Sequence, residues 1–331
     1  MSADYWYYGF LTFPQLRFLT FNIHQDLAVF YGVHRVDYYV TEGLPLLLMG
    51  LLPFALYGLS KYAAVAFQRR SATTYSLESI VLPNLTLTVL MGVLCMSLIS
   101  HKEARFIYPL LPVLHIIGGV SVSTFTRKAS IWKGFIMLVI LGLHIWITKY
   151  VSRTHQRGVI DVMHYLRTQH EQSTGNHMST VGFLMPCHST PWRSHFIHSD
   201  IDAWALTCEP PVNMTSDQRA AYVDEADIFY ADVEKWLDAN MENVSLLENS
   251  SIAQQASKNM GHVERTSNGQ ITGINRPWPQ YLVFFEQLLP QMVAYLPPGR
   301  YQVCEMLFNT HWHDDWRRQG NVFVFCLVDG T

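Results

Sequence analysis

The densest run of reactive side chains is His101-Lys102-Glu103-Ala104-Arg105-Phe106-Ile107-Tyr108-Pro109. Four ionisable groups sit within five residues, between apolar stretches on either side. Charge at membrane depth is costly and usually marks a functional path or site. Lys102 offers a point charge and Arg105 a planar fork of donors, so the pair could hold a phosphate. Glu103 could orient one of the cations, and His101 could donate a hydrogen bond or shuttle a proton. The competing role is structural, with Lys102 and Arg105 anchoring helix ends at the membrane interface and Glu103 as their surface partner.

A second constellation covers residues 21–45 and includes Phe30-Tyr31-Gly32-Val33-His34, Tyr38-Tyr39 and Gly43-Leu44-Pro45. Its aromatic density suits either an interfacial belt or a surface on which a sugar stacks, and the residues alone favour the belt. Three clusters lie further on. Cys187-His188 has the chemistry of a nucleophile and base, but adjacent residues rarely share a face. His311-x-His313-Asp314-Asp315 and His195-x-x-His198-x-Asp200 carry ligand-type side chains. The first falls in a polar turn between strands and the second is discounted in the same way, so no metal is expected.

Helices must position the turn. A span needs roughly 20 mainly apolar residues, and four stretches meet or approach that length: 44–60, 77–99, 106–125 and 131–148. Pro109 and Pro112 within the third are tolerated in a bundle whose neighbours satisfy the freed carbonyls. The transmembrane region therefore covers 44–150, preceded by a loop or interfacial segment over 1–43.

Charge sets direction. Residues 1–150 hold 11 Lys/Arg and 6 Asp/Glu and residues 151–331 hold 12 and 20, formal charges of +5 and −8 within a net −3. Lys61, Arg69 and Arg70 follow the first span, and Arg127, Lys128 and Lys133 follow the third. The positive-inside rule puts both loops in the cytosol. Residues 1–43, the turn at 101–103 and everything after about 150 are then expected on the opposite side, the lumen of a secretory membrane. Acceptor patterns for N-glycosylation at Asn213, Asn243 and Asn249 add modest support. The acidic second half would be repelled by nucleic-acid phosphate, which argues against such a partner.

Residues 151–331 read as a small soluble α/β domain. A helix is expected over 155–171, strands over 181–185, 203–207, 281–285, 301–308 and 321–327, helical segments over 217–240, and a mobile polar loop near 241–275. Five cysteines are too few for a disulfide framework, although Cys187 and Cys208 could pair on an oxidising side.

Taken together, these stretches resemble the dolichyl-phosphate-mannose-dependent mannosyltransferases. The wider family shares the turn written here as His101-Lys102-Glu103-x-Arg105-Phe106-x-Tyr108-Pro109. A branch that builds the glycosylphosphatidylinositol (GPI) anchor is suggested by Arg17-Phe18-Leu19-Thr20-Phe21-Asn22, Phe30-Tyr31-Gly32-x-His34, Met185-Pro186-Cys187-His188-Ser189-Thr190-Pro191 and Asp224-Glu225-Ala226-Asp227-Ile228-Phe229-Tyr230. The run from Met185 to Pro191 is the most specific, being long and without a generic structural reason.

The resemblance implies the C-terminal part of a polytopic, GT-C-type glycosyltransferase of the endoplasmic reticulum membrane. It would move the third mannose, in an α-1,2 bond, from dolichyl-phosphate mannose to the GPI precursor on the lumenal face. The partners implied are the lipid-linked donor, the glycolipid acceptor and membrane lipids, with no nucleotide, metal or other cofactor. Lys102 and Arg105 would hold the donor phosphate, His101 and Glu103 would orient, and Tyr31 and His34 would lie toward the acceptor. In this family the carboxylate base sits in the first lumenal loop after the first membrane helix. The chain opens near Asp4-x-x-Tyr7-Tyr8-Gly9, beyond that point, so a fragment without its base, and inactive alone, is expected. A related enzyme of N-glycan precursor assembly would share the turn but should lack the Met185–Pro191 run. A transporter or scaffold is the rival of another class, and the inverted repeats of transporters are not found in the sequence.

Overall fold

A computed structural model of the protein describes residues 2–21, 27–68, 77–128, 130–173, 179–212, 214–244 and 276–328. Asn22, Arg69, Arg70, Asn213, Asn249 and the expected loop from residue 245 to 275 lie outside them. The chain divides into two compact units, Met1–Thr148 with Pro211–Asn213, and Lys149–Pro210 with Met214–Thr331.

The first unit is helical. Stretches long and apolar enough to cross a membrane run over Tyr39–Phe67, Ser79–Ser97 and Ala104–Thr126, and a fourth begins at Ile131. Their regular cores are α1 (Leu52–Phe67), α2 (Leu82–Ser97), α3 (Leu111–Thr126) and α4 (Ile131–Arg153). Prolines shape the irregular beginnings. Pro53 has no N–H to give the carbonyl four residues back, that of Met49, and the first span breaks there, with Met49 at φ 47°. Pro109 and Pro112 likewise leave Ala104–Leu110 as a tighter 3-10 turn before α3 becomes regular.

A core of Leu44, Leu48, Ala55, Leu59, Leu82, Val89, Ile107, Leu114 and Ile117 joins α1, α2 and α3. Gly58 lets α1 approach α3 closely, because a Cβ there would lie 2.5 Å from Ile117 Cγ2 and 2.7 Å from Ser121 Oγ. Small residues at such crossings are how helices pack where lipid removes the hydrophobic drive between them. None of the described residues of α4 is buried. Leu138, Leu141 and Trp146 point outward, which suits an acyl-chain solvent.

The second unit is a mixed five-stranded sheet between helical layers. Its elements are α5 (Gly158–Gln172), β1 (Ser179–Phe183), β2 (Ile201–Ala205), α6 (Glu225–Ala231), α7 (Val233–Asn240), β3 (Tyr281–Phe285), α8 (Leu289–Tyr295), β4 (Tyr301–Thr310) and β5 (Gly320–Leu327). The strand order is β2-β1-β3-β5-β4. β1 runs parallel to β2 and β3, while β5 is antiparallel to β3 and β4. Every residue of the central strand β3 is buried, and the period of two divides them. Tyr281, Val283 and Phe285 join Val162, Met163 and Leu166 of α5 in one core. Leu282 and Phe284 join Phe229, Trp236, Leu237 and Met292 of α6, α7 and α8 in the other. Burying each large apolar side chain stabilises the unit by about 1.5–3 kcal/mol.

Two disulfides brace this unit, so the reading of too few cysteines for a framework is corrected. Cys187 pairs with Cys208, and Cys304 pairs with Cys326 across the neighbouring strands β4 and β5. The fifth cysteine, Cys95, stays free on α2.

Candidate functional site

The turn between α2 and Ala104–Leu110 is built against the segment 31–38. The His34 backbone N–H donates to the Ser100 carbonyl at 3.1 Å. His101 Nδ1 lies 3.1 Å from the Gly32 carbonyl, and Gly32 reaches that position at φ +108°, which L side chains rarely adopt. The Lys102 ammonium donates to the His34 carbonyl at 3.2 Å. Residues some 68 positions apart thus form one folded corner. All six of Tyr31, His34, His101, Lys102, Glu103 and Arg105 belong to it.

The two cations are not equivalent. Lys102 is 2% exposed, and its ammonium is spent in part on fastening segment 31–38. It does not reach out as an interfacial anchor. Arg105 has a side chain 67% exposed and is held from one side by Glu103, with Nε 2.6 Å from Oε2 and an Nη2 donor 2.7 Å from Oε1. Fork-to-fork pairing of this kind fixes the plane of the guanidinium as well as its place. Its outer edge stays open to solvent, and its centre lies 5.9 Å from the Phe106 ring.

Glu103 is the hub. Its Oε1 also lies 3.1 Å from His101 Nε2. Burial pushes the carboxyl's pKa up, but hydrogen bonds from His101 and Arg105, and their charge, more than offset this and hold it below the ordinary glutamate value. Rings surround the hub: Tyr31, His34 and Phe106 lie 6.0, 5.9 and 5.9 Å from the His101 ring, and Tyr38 stands 4.8 Å from His34. The corner therefore presents a fixed, exposed cation, Arg105, beside aromatic faces, an arrangement able to bind an anionic oxygen group next to a sugar. Sequence reasoning placed Gly32 and Tyr38 in the aromatic constellation but gave neither the Gly32 carbonyl nor the Tyr38 ring a role at the turn. The signal for the first was a glycine inside Phe30-Tyr31-Gly32-x-His34.

Two of the second unit's three tempting clusters, Cys187-His188 and the turn at 311–315, are engaged in structure. Cys187 is oxidised, so it offers no thiol nucleophile to His188. The Met185–Pro191 run is a braced loop: His188 sits at φ +57°, the Ser189 hydroxyl donates to the Pro186 carbonyl, and Trp192 Nε1 donates to Thr190 Oγ1 at 2.8 Å. Arg318 donates to the Cys187 carbonyl at 2.8 Å and the Tyr230 hydroxyl to that of Leu184 at 3.2 Å. In the turn after β4, Asp315 is committed to Arg317, at 2.9 and 3.0 Å, and Arg317 also reaches Asp227 at 2.7 Å. The acidic run at 224–227 serves structure as well. Asp224 caps α6 through the Asp227 N–H, and Glu225 takes Thr207 and Arg276.

Residues 1–197 match a family model described as the Alg9-like mannosyltransferase family. A GPI mannosyltransferase 3 of Aspergillus fumigatus is 42% identical over 349 residues, covering 98% of this chain and 44% of that protein. The proteins of the same name from Emericella nidulans and Yarrowia lipolytica are 40% and 38% identical over 98% of this chain and 50% and 55% of their own lengths. The chain spans about half the length of the curated relatives it matches. No solved structure matches it.

Proposed function

We propose, from the premise that the chain belongs to the Alg9-like mannosyltransferase family, that it forms part of a membrane enzyme that adds mannose to a GPI precursor. The relatives' shared name, GPI mannosyltransferase 3, and the Met185–Pro191 run support addition of the third mannose in an α-1,2 bond. The donor would be dolichyl-phosphate mannose. In the transfer, an acceptor hydroxyl attacks the anomeric carbon, the bond from that carbon to the phosphate oxygen breaks, and a carboxylate takes the hydroxyl proton. The electron pair leaves with dolichyl phosphate.

The observation that carries this reading is the exposed Arg105 guanidinium, fixed by Glu103 at the mouth of a membrane span. A cation positioned there stabilises negative charge growing on the departing phosphate. Lys102 adds positive charge from beneath the turn, while His101 and Glu103 hold the fork in place. Tyr31 and His34, on the adjoining segment, would meet the acceptor glycan. The proton acceptor is not assigned to any of these residues.

The endoplasmic reticulum membrane is the proposed location, with residues after 150 in the lumen. Two independent features support that direction. The cations Arg127, Lys128 and Lys133 flank the loop between the last two spans, and the second unit carries two disulfides, which persist in oxidising compartments.

The test is complementation. In cells lacking GPI mannosyltransferase 3, the gene in full should restore surface GPI-anchored proteins, and its Arg105→Ala form should not, at equal protein level. Normal restoration by Arg105→Ala would remove Arg105 from the site. Failure of the unmutated gene would remove the third-mannose assignment.

A further inference from the structure

The second unit brings together a set of side chains that the proposed transfer does not use. His170 at the end of α5, and His198 and Asp200 in the segment before β2, place their ligand atoms within 4.8 Å of one another. We propose that these three residues form a binding site for a borderline divalent transition cation, zinc being the best match. The site is independent of the mannosyltransferase reading.

The donor set suits the ion. Zinc binds imidazole nitrogen and carboxylate oxygen at about 2.0–2.2 Å, usually in a tetrahedron, whose ligand atoms then stand roughly 3.4 Å apart. His170 Nε2 and Asp200 Oδ2 are already 3.0 Å apart, and the His170 and His198 rings stand 5.3 Å apart between centroids. Small side-chain rotations close the remainder, because His198 and Asp200 are not buried. Glu171, 2.8 Å from His198 Nε2, is placed to supply a fourth oxygen or to hold a ligating water. Two imidazoles and one carboxylate converge from a helix end and a loop, while Glu171 stands beside His198 and also pairs with Arg167 at 3.3 Å.

The second observation is the support behind His170. Its Nδ1 lies 2.8 Å from Ser179 Oγ, and Ser179 is buried at the start of β1. Ligating histidines usually pass their other ring proton to such a partner, which fixes the tautomer and the ring plane. A serine hydroxyl can accept that proton when Nε2 binds metal, and can donate instead when Nε2–H bonds Asp200. An ion here would clamp the end of α5 to β1 and to the approach to β2. Sequence spacing singled out His195, His198 and Asp200, but His170 is the residue that completes the set. His195 instead pairs with His164, their rings 5.0 Å apart.

The test uses the whole protein in detergent, without a polyhistidine tag, stripped by chelator and titrated with Co²⁺ and then with Zn²⁺. One equivalent of Co²⁺ should bind with the visible absorption of a low-coordinate nitrogen and oxygen site and be displaced by Zn²⁺. His198→Ala and Asp200→Asn should each weaken it at least about tenfold, and Ser179→Ala by about 10–100-fold as an outer-shell change. Both ligand variants alter exposed or half-buried side chains, and retention of the two disulfides checks that the unit still folds. His164→Ala should leave binding unchanged. Absence of a bound equivalent in the wild type, or equal binding in His198→Ala and Asp200→Asn, would overturn the proposal.

Discussion

Arg105 in the helical unit and Arg317 in the sheet unit are both paired with carboxylates, yet they are deployed in opposite ways. Arg317 is 22% exposed, engages Asp315 and Asp227, and lies 5.2 Å from the Tyr230 ring. Its donors are consumed by the fold. Arg105 leans on Glu103 from one side and keeps the rest of its fork in the open. The same contrast runs through the units. The sheet unit closes on itself, with a central strand buried on both faces and two disulfides. The helical unit leaves no residue of α4 fully buried and turns the Glu103–Arg105 pair outward. Under the proposed function, the unused part of the Arg105 fork is what meets the donor phosphate.

The largest effect that would sharpen this comparison comes from the closed side. Phe284 is fully buried in β3, and Phe284→Ala should destabilise the sheet unit by about 3–5 kcal/mol through lost transfer energy and the cavity left behind. Pulse proteolysis of the whole protein should show residues 179–328 becoming sensitive at lower denaturant. Unchanged resistance would mean that this core is not what holds the unit.

Arg317→Ala comes next. It leaves Asp315 and Asp227 short of donors, at about 1–3 kcal/mol. The same proteolysis should detect it, while mannose transfer measured below the unfolding range should stay near wild type. A transfer defect equal to that of Arg105→Ala would break the division of labour between the two arginines.

The smallest effect tests the hub. Glu103→Gln removes one partner of a half-exposed pair, worth about 0.2–1 kcal/mol. Donor affinity should fall by a factor of up to about five, and a loss as large as that of Arg105→Ala would contradict the orienting role. The sign with pH follows from the depressed Glu103 pKa. A carboxyl lowered on folding stabilises the turn fully above its unfolded value and loses that contribution only as pH falls through the folded one. Wild-type binding attributable to this pair should thus be flat from neutral pH down to the ordinary carboxylate range, near about 4. A fall through pH 6 that Glu103→Gln abolishes would reverse the sign.

Much of this was legible in the sequence because it depends on near neighbours. Continuous apolar runs located β3 over 281–285 and β5 near 321–327, since a strand buried on both faces has little choice of residue. Apolar length located the four helices, and charge density located the turn. What was not legible depends on contacts across the chain. Lys102 reads as an outward cation until the His34 carbonyl, 68 residues earlier, is seen to hold it. Cys304 and Cys326 pair only because β4 and β5 are adjacent. His170 falls on a helix whose periodicity gives no hint that its tip meets Asp200. The Met185–Pro191 run was recognisable by its rarity, but its bracing by Arg318 at the Cys187 carbonyl comes from a residue 131 positions away.

Donor binding to the turn is the most direct test of the whole reading. The full protein and its Arg105→Ala and Arg317→Ala forms would be compared for affinity toward dolichyl-phosphate mannose in detergent. The account predicts a loss of roughly 10–100-fold for Arg105→Ala, the size of a hydrogen bond to a charged group at about 1.5–3 kcal/mol, and little change for Arg317→Ala. Equal affinity in all three proteins would contradict it.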